Sequence, residues 1–204
     1  QSGGRLVIAG RKSVLSFPGL FAEPDVPLEA VEARADWRLR SGPDGAPDGV
    51  VFEIDSLRFA NADAAGELSG RYESGGKGIG LIDLSGRLSR ADATRVARYM
   101  PLRLSAGLRG WVERAIVAGR SDDVRFVLRG DLEDFPYRNP GSGDFRIEAA
   151  LRDATLRYAP DWPAIEAIRA RLLFERGGME IAAESGQLSG VTLGATRATI
   201  AEYR

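Results

Sequence analysis

Cysteine and histidine are both missing from the 204 residues. Without them the usual zinc ligand sets, cysteine nucleophiles and Ser-His-Asp triads are excluded. The missing cysteine leaves the redox compartment open in either direction. Charge of one sign is missing too: 28 Lys and Arg stand against 29 Asp and Glu, a formal net charge of −1. A nucleic-acid binder normally presents a basic face, so nucleic acid is not an expected partner. No apolar run approaches the ~18 residues of a membrane span. No signal peptide is visible at Gln1.

What remains is 44% hydrophobic and 28% charged, an ordinary globular composition long enough to bury a core without cross-links. The chain begins and ends inside strand-like sequence, so residues 1–204 read as one fragment of a longer polypeptide. Alternation with period 2 dominates. In Val31-Glu32-Ala33-Arg34-Ala35-Asp36-Trp37-Arg38-Leu39-Arg40 every odd position is apolar and every even one charged. Phe145, Ile147, Ala149 and Leu151 alternate with Asp144, Arg146, Glu148 and Arg152. Ile168, Ala170, Leu172 and Phe174 alternate with Arg169, Arg171 and Glu175. Val124, Phe126 and Leu128 oppose Arg125 and Arg129, and Met179, Ile181 and Ala183 oppose Glu180 and Glu184. One face of each strand is apolar and the other solvated, which is the antiparallel habit.

Turn signals at Pro43-Asp44-Gly45, Ser74-Gly75-Gly76, 139–143 and Gly177-Gly178 divide the chain into about eleven or twelve strands. These lie near 4–9, 12–17, 28–40, 49–60, 64–73, 78–88, 121–131, 143–152, 153–158, 166–176, 178–185 and 187–203. Neighbours joined by short turns should pair as a meander. A Leu-Ser-Gly echo at 68–70, 84–86 and 188–190 has no fixed period and reads as glycine marking bulges.

Residues 89–118 differ. Ser89 and Asp92 resemble a capping box, Pro101 stops a first helix, and a second runs from about Ser105 to Ala118 with Gly119 as its left-handed stop. Leu108, Trp111, Val112, Ala115 and Ile116 form one apolar stripe. With Arg109, Glu113 and Arg114 on the other side, this stripe is expected to pack on the sheet rather than on a membrane.

Possible sites weigh little. Asp122-Asp123 and the Asp131, Glu133, Asp134 group read as solvated strand ends, since a glycosidase needs two carboxylates facing across a cleft and a calcium loop needs other spacing. Ser74-Gly75-Gly76-Lys77-Gly78-Ile79-Gly80 lacks the phosphate-loop pattern and reads as a hairpin turn. Trp162 is expected to cover a sheet edge.

Taken in order, several segments resemble one family. They are Ser16-Phe17-Pro18-Gly19-Leu20-Phe21, the strand ending in Trp37, and Leu57-Arg58-Phe59-Ala60-Asn61-Ala62-Asp63-Ala64. Tyr99-Met100-Pro101, Trp111-Val112-Glu113-Arg114-Ala115 and Phe126 through Pro136 follow. Asp153 through Pro163 and Gly186 through Gly194 complete the set. The ordered set is similar to the central region of the YhdP family, the large AsmA-like envelope proteins of Gram-negative bacteria. Met100 departs from the family pattern, which has leucine before the proline.

The resemblance implies a periplasmic segment of an inner-membrane-anchored protein, with the anchor outside this fragment. It implies a β-groove like that of bridge-like lipid transfer proteins, moving phospholipid between inner and outer membrane and supporting outer-membrane lipid homeostasis. Phospholipid acyl chains, adjacent β-groove segments of the same polypeptide and other envelope proteins are the implied partners. It implies no catalytic residue, cofactor or metal.

The expected fold is therefore mainly β: a curved antiparallel meander forming an open, taco-like groove. A first β segment (1–88) and a second (119–204) flank a two-helix insert near 89–118, which covers part of the apolar face as a lid or plug. The expected lipid-facing lining is Ala33, Ala35, Trp37, Ile147, Ala149, Ala170, Leu172 and Ile181. Two other readings compete: a non-catalytic structural or interaction scaffold of the envelope with a closed dry core, and a carbohydrate-active enzyme on a β-scaffold.

Overall fold

The computed structural model describes residues 2–42, 46–75 and 78–202. Within them eleven strands form one sheet. The order is β1 (Gly3–Ser16), β2 (Asp25–Ser41), β3 (Pro47–Ala60), β4 (Ala64–Glu73) and β5 (Leu81–Asp92), then a 3-10 helix (Ala93–Tyr99) and α1 (Ala106–Ala115). β6 (Ile116–Asp131), a 3-10 turn (Leu132–Asp134), β7 (Gly143–Leu156), β8 (Ile165–Glu175), β9 (Gly178–Leu188), β10 (Val191–Leu193) and β11 (Thr196–Ile200) follow. Each strand from β1 to β10 pairs antiparallel with the next, and β11 returns to pair with β9. The expected meander is present.

Several boundaries differ from the sequence reading. Segments 4–9 and 12–17 are one strand, β1, bent where Lys12 takes φ 52°. Segments 143–152 and 153–158 are likewise one strand, β7, bent at Asp153 with φ 52°. Ser89 is no cap: it lies in β5, which runs on because Ala91 and Asp92 still pair with Ser121 and Arg120. Asp92 is the true cap, accepting from the Thr94 N–H at 2.9 Å. α1 ends at Ala115 rather than Ala118, because Ile116 pairs with Leu156 and begins β6. Gly119 therefore caps nothing. A Cβ there would stand 3.0 Å from the Ala154 methyl and 3.3 Å from that of Ala93, so its bareness lets the 3-10 helix approach β7.

The Leu-Ser-Gly echo also has another meaning. In β4 and β5 the two copies pair with each other, Leu68 against Gly86 and Gly70 against Leu84, so each leucine stands opposite a glycine. At Gly86 a Cβ would meet the Phe126 ring at 2.5 Å. The third copy is a turn between β9 and β10, with Ser189 and Gly190 both at positive φ. The turn signals at 43–45 and 76–77 fall outside the described residues.

Register shifts at Arg34/Ala35, Ile54/Leu57, Ala65/Gly66 and Leu151/Ala154 insert unmatched residues that bend and coil the sheet. No second sheet covers it among the described residues. Among the described residues, buried apolar side chains gather into two small clusters, Val26/Leu28/Val31 and Ala154/Ile168/Ala170, with Val51, Val124 and Tyr137 buried elsewhere.

Candidate functional site: an open apolar sheet face

Side chains directly opposite in a sheet share a face, so the register sorts every strand into two faces. One row runs Ile8, Ala33, Leu57, Leu68, Gly86, Phe126, Ile147, Phe174, Met179, Ile200, each the cross-strand partner of the next. The neighbouring row is Val31, Phe59, Gly66, Leu88, Val124, Ala149, Leu172, Ile181, Ala198. Neither row contains a polar side chain. Most of these residues are only half-buried, because among the described residues no second sheet lies over them.

The opposite face carries charge. Its matching row is Arg5, Asp36, Glu53, Arg71, Asp83, Arg129, Asp144. Arg5–Asp36 and Arg129–Asp83 close at 3.0 Å, and Glu53 is shared by Arg38 at 2.9 Å and Arg71 at 3.6 Å. The bond from Arg5 holds the Asp36 carboxyl below the usual range. Arg71 and then Arg40 do the same for Glu73. Such exposed pairs add little stability; they keep this face in water and help fix the register. A shallow depression of about 570 Å³ is lined by residues of this face, among them Asp55, Ser69, Ser85, Arg87, Arg125 and Glu148, together with Leu68, Gly86 and Phe126 of the apolar row. Its charged rim makes it a poor seat for an acyl chain.

All eight expected lining residues sit on the apolar face by register. Ala33, Ala35 and Ala170 are nearly covered, at 8%, 7% and 3% exposure. Trp37, Ile147, Ala149, Leu172 and Ile181 are half-buried and more accessible. The Trp37 indole lies over Gly4, whose Cβ would stand 3.2 Å from Nε1. Trp162 covers no edge; it is 64% exposed, in the 157–164 connection.

The carboxylate groups hold structural posts. Asp122 pairs with Arg152 at 2.8 Å and Asp123 with Arg87 at 3.0 Å. Asp131 accepts from the Glu133 N–H at 2.9 Å, and Glu133 pairs with Arg103 at 3.1 Å.

The helical insert lies on the apolar face. Tyr99 packs against Val26, Leu28 and Val31 together with Phe21 and Phe59. Its hydroxyl donates to Asp63 at 2.8 Å and accepts from the Asn61 amide at 3.0 Å. Arg98 reaches Asp63 at 3.2 Å and Glu23 at 3.1 Å. Burial, then Asp63, pushes the Tyr99 hydroxyl above its ordinary pKa. Trp111 is half-buried; its Nε1 donates to the Tyr158 carbonyl at 3.1 Å, and the two rings meet edge-on. Sequence reasoning missed the Asn61–Asp63–Tyr99 network. Its one local signal is Asn61, which turns the chain by accepting from the N–H groups of Asp63 and Ala64 at 3.0 and 2.7 Å.

No helix among the described residues is long and apolar enough to cross a membrane. The chain is similar to the intermembrane phospholipid transporter YhdP of Escherichia coli (strain K12), with 30% identity over 117 residues. That stretch is 57% of this chain and 9% of the relative, so the chain matches a small part of a much longer protein. No solved structure matches. The family model described as YhdP protein matches residues 1–204, the whole length, and the chain belongs to the YhdP protein family.

Proposed function

We propose that this chain is one segment of a periplasmic β-groove that binds phospholipid by its acyl chains and conducts it between inner and outer membrane. The observation that carries this reading is the pair of unbroken apolar rows lying open opposite a charged face. An uncovered apolar face of this extent is costly in water and calls for an occupant. Acyl chains meet the need without specific polar contacts, and the rows run from strand to strand, which supplies a path as well as a seat. The name of the Escherichia coli relative agrees with this role.

The segment acts without catalysis, its work being done by shape and apolar surface. Residues 1–88 and 119–204 form two stretches of one groove, with the insert between them. Adjacent groove segments of the same polypeptide continue the sheet beyond β1 at one end and β10 and β11 at the other, which pair with no further strand among the described residues. The parent is held at the inner membrane by an anchor outside this segment. Native mass spectrometry and organic extraction of the purified chain test the reading. Co-purified phospholipid is expected; a folded, lipid-free chain that takes up none from vesicles would leave a scaffold role instead.

A further inference from the structure

We propose that phospholipid lies on the apolar face in one orientation: its headgroup stands at one rim of the sheet, beside an aromatic row, and its chains point to the other rim, which the protein seals with its own side chains. This rests on the lipid-groove reading above. The β1–β2, β3–β4, β5–β6, β7–β8 and β9–β10 connections lie at a first rim, and the β2–β3, β4–β5, β6–β7 and β8–β9 connections at a second.

Both buried apolar clusters belong to the first rim. Val26 and Leu28 stand where β2 runs past the end of β3, and Leu15, Phe21, Phe59 and Tyr99 pack on them. Ala154, Ile168 and Ala170 stand where β7 and β8 leave and re-enter the sheet, with Leu156 and Ile165 against them. The insert is tied into this closure. The Leu102 N–H donates to the Leu20 carbonyl at 2.9 Å, and Arg98 reaches the Asp25 carbonyl at 3.2 Å and Glu23 at 3.1 Å. The Phe21 ring meets those of Phe17 and Tyr99 edge-on. Apolar groups at this rim are thus already covered by protein.

Toward the second rim the rows stay open. Trp37, Phe52, Tyr72 and Ile82 form a row there, each the cross-strand partner of the next, and it continues through Gly130 and Gly143, over which Tyr137 lies. Leu39, beyond Trp37 on the same face, is 36% exposed, and Ile79 is 41% exposed. The half-buried Tyr72 donates its hydroxyl to the Ile79 carbonyl at 2.6 Å, so an apolar ring on the face ends in a polar tip at the rim. Tyrosine and tryptophan favour this position, between hydrocarbon and headgroups. The insert's ion pair with this rim, Arg103 on Glu133, is made at the β6–β7 connection, two strands from Tyr72 on β4.

From Ile82 to Leu88, β5 offers about 20 Å of strand. The chains of one leaflet need about 15 Å, half of a ~30 Å hydrocarbon core. A lipid with its glycerol beside Tyr72 therefore ends its chains near Leu88, short of the sealed rim. A reversed lipid would bring its phosphate among Phe59, Leu88 and Val124, a charge without a partner in apolar surroundings.

Two photoreactive phospholipids test this on the unmodified full-length protein, one with a diazirine in the headgroup and one with it at the end of an acyl chain. Each is loaded from vesicles and irradiated, and adducts in this segment are mapped by peptide mass spectrometry. The headgroup probe is expected several-fold more often at Leu39, Tyr72 and Ile79 than at Phe59, Leu88 and Val124, and the acyl probe the reverse. Headgroup adducts equal at the two sets, or richer at Phe59, Leu88 and Val124, overturn the orientation; the groove reading stands if the acyl probe still labels the apolar rows. Labelling of the apolar rows by neither probe, in protein whose melting curve shows it folded, overturns the groove reading and the orientation with it.

Discussion

The ring of Tyr137 lies over Gly143, its Cδ1 2.5 Å from where a Cβ would stand. Gly130, the partner of Gly143 across β6 and β7, is equally close, at 2.8 Å from Cε1. Two facing glycines thus form a slot at the second rim, and Tyr137, fully buried, fills it. Phe135 meets Tyr137 and Phe145 edge-on, extending the aromatic cluster. Gly143→Ala must displace both the ring and the Arg129 carbonyl of β6, and is expected to cost about 1–3 kcal/mol. Chemical denaturation should show the loss as a lower midpoint with an unchanged slope.

Tyr137→Phe should behave in the opposite way. The buried Tyr137 hydroxyl has no hydrogen-bond partner, so removing it is expected to leave stability unchanged or raise it. Burial, then the charges of Asp131 and Asp134, pushes this hydroxyl up from 10.0 to about 12. The unfolded chain releases the proton first. The stability linked to it is therefore whole below the unfolded value and is lost as pH rises toward the folded one. Tyr99 is raised as well, so the Tyr137→Phe curve still falls in alkali. The difference between wild type and Tyr137→Phe across pH 10 to 12 isolates Tyr137, and the variant should fall less steeply.

Trp111→Ala removes a half-buried indole and its bond to the Tyr158 carbonyl. It is expected to cost about 2–4 kcal/mol and to lower the melting temperature by several degrees. Arg114→Ala, which removes an exposed side chain, should leave the melting temperature within about a degree.

Asp63→Ala should be among the costliest changes in the connections between strands. It leaves the Tyr99 O–H without its acceptor, although the Asn61 amide still donates to it, and it takes from Arg98 one of its two carboxylate partners, leaving Glu23. Breaking such a network is expected to cost about 3 kcal/mol. Limited proteolysis should then cut first within 93–105, as the root of the insert loosens.

Much of this architecture is legible in the chain because one face of each strand is apolar and the other charged. Alternation alone puts Ala33, Ala35 and Trp37 on one side of β2 and Arg34 and Asp36 on the other, and it places β4 at 64–73 as observed. What escapes it is non-local or hidden in ordinary residues. Lys12, Asp153 and Ala167 bend strands at positive φ with no glycine to mark the bend, so β1 and β7 each read as two strands. The alanines look like open space, yet bulky neighbours nearly cover Ala33 and Ala170; burial depends on what stands alongside, not on the residue itself. The Tyr137 slot and the Asn61–Asp63–Tyr99 network join residues from separate segments, and no periodicity signals such a meeting.

The central claim is that lipid occupies the apolar face and not the charged one. Site-directed photo-crosslinking within the full-length protein in cells tests it most directly. Leu84, Ile147 and Leu172 probe the apolar face; Asp83, Arg125 and Arg171 lie on the other face of the same sheet. The account predicts phospholipid adducts at Leu84, Ile147 and Leu172 and none at Asp83, Arg125 and Arg171, in variants whose melting curves show them folded. Equal labelling of both faces, or none on the apolar face of the folded protein, would contradict it.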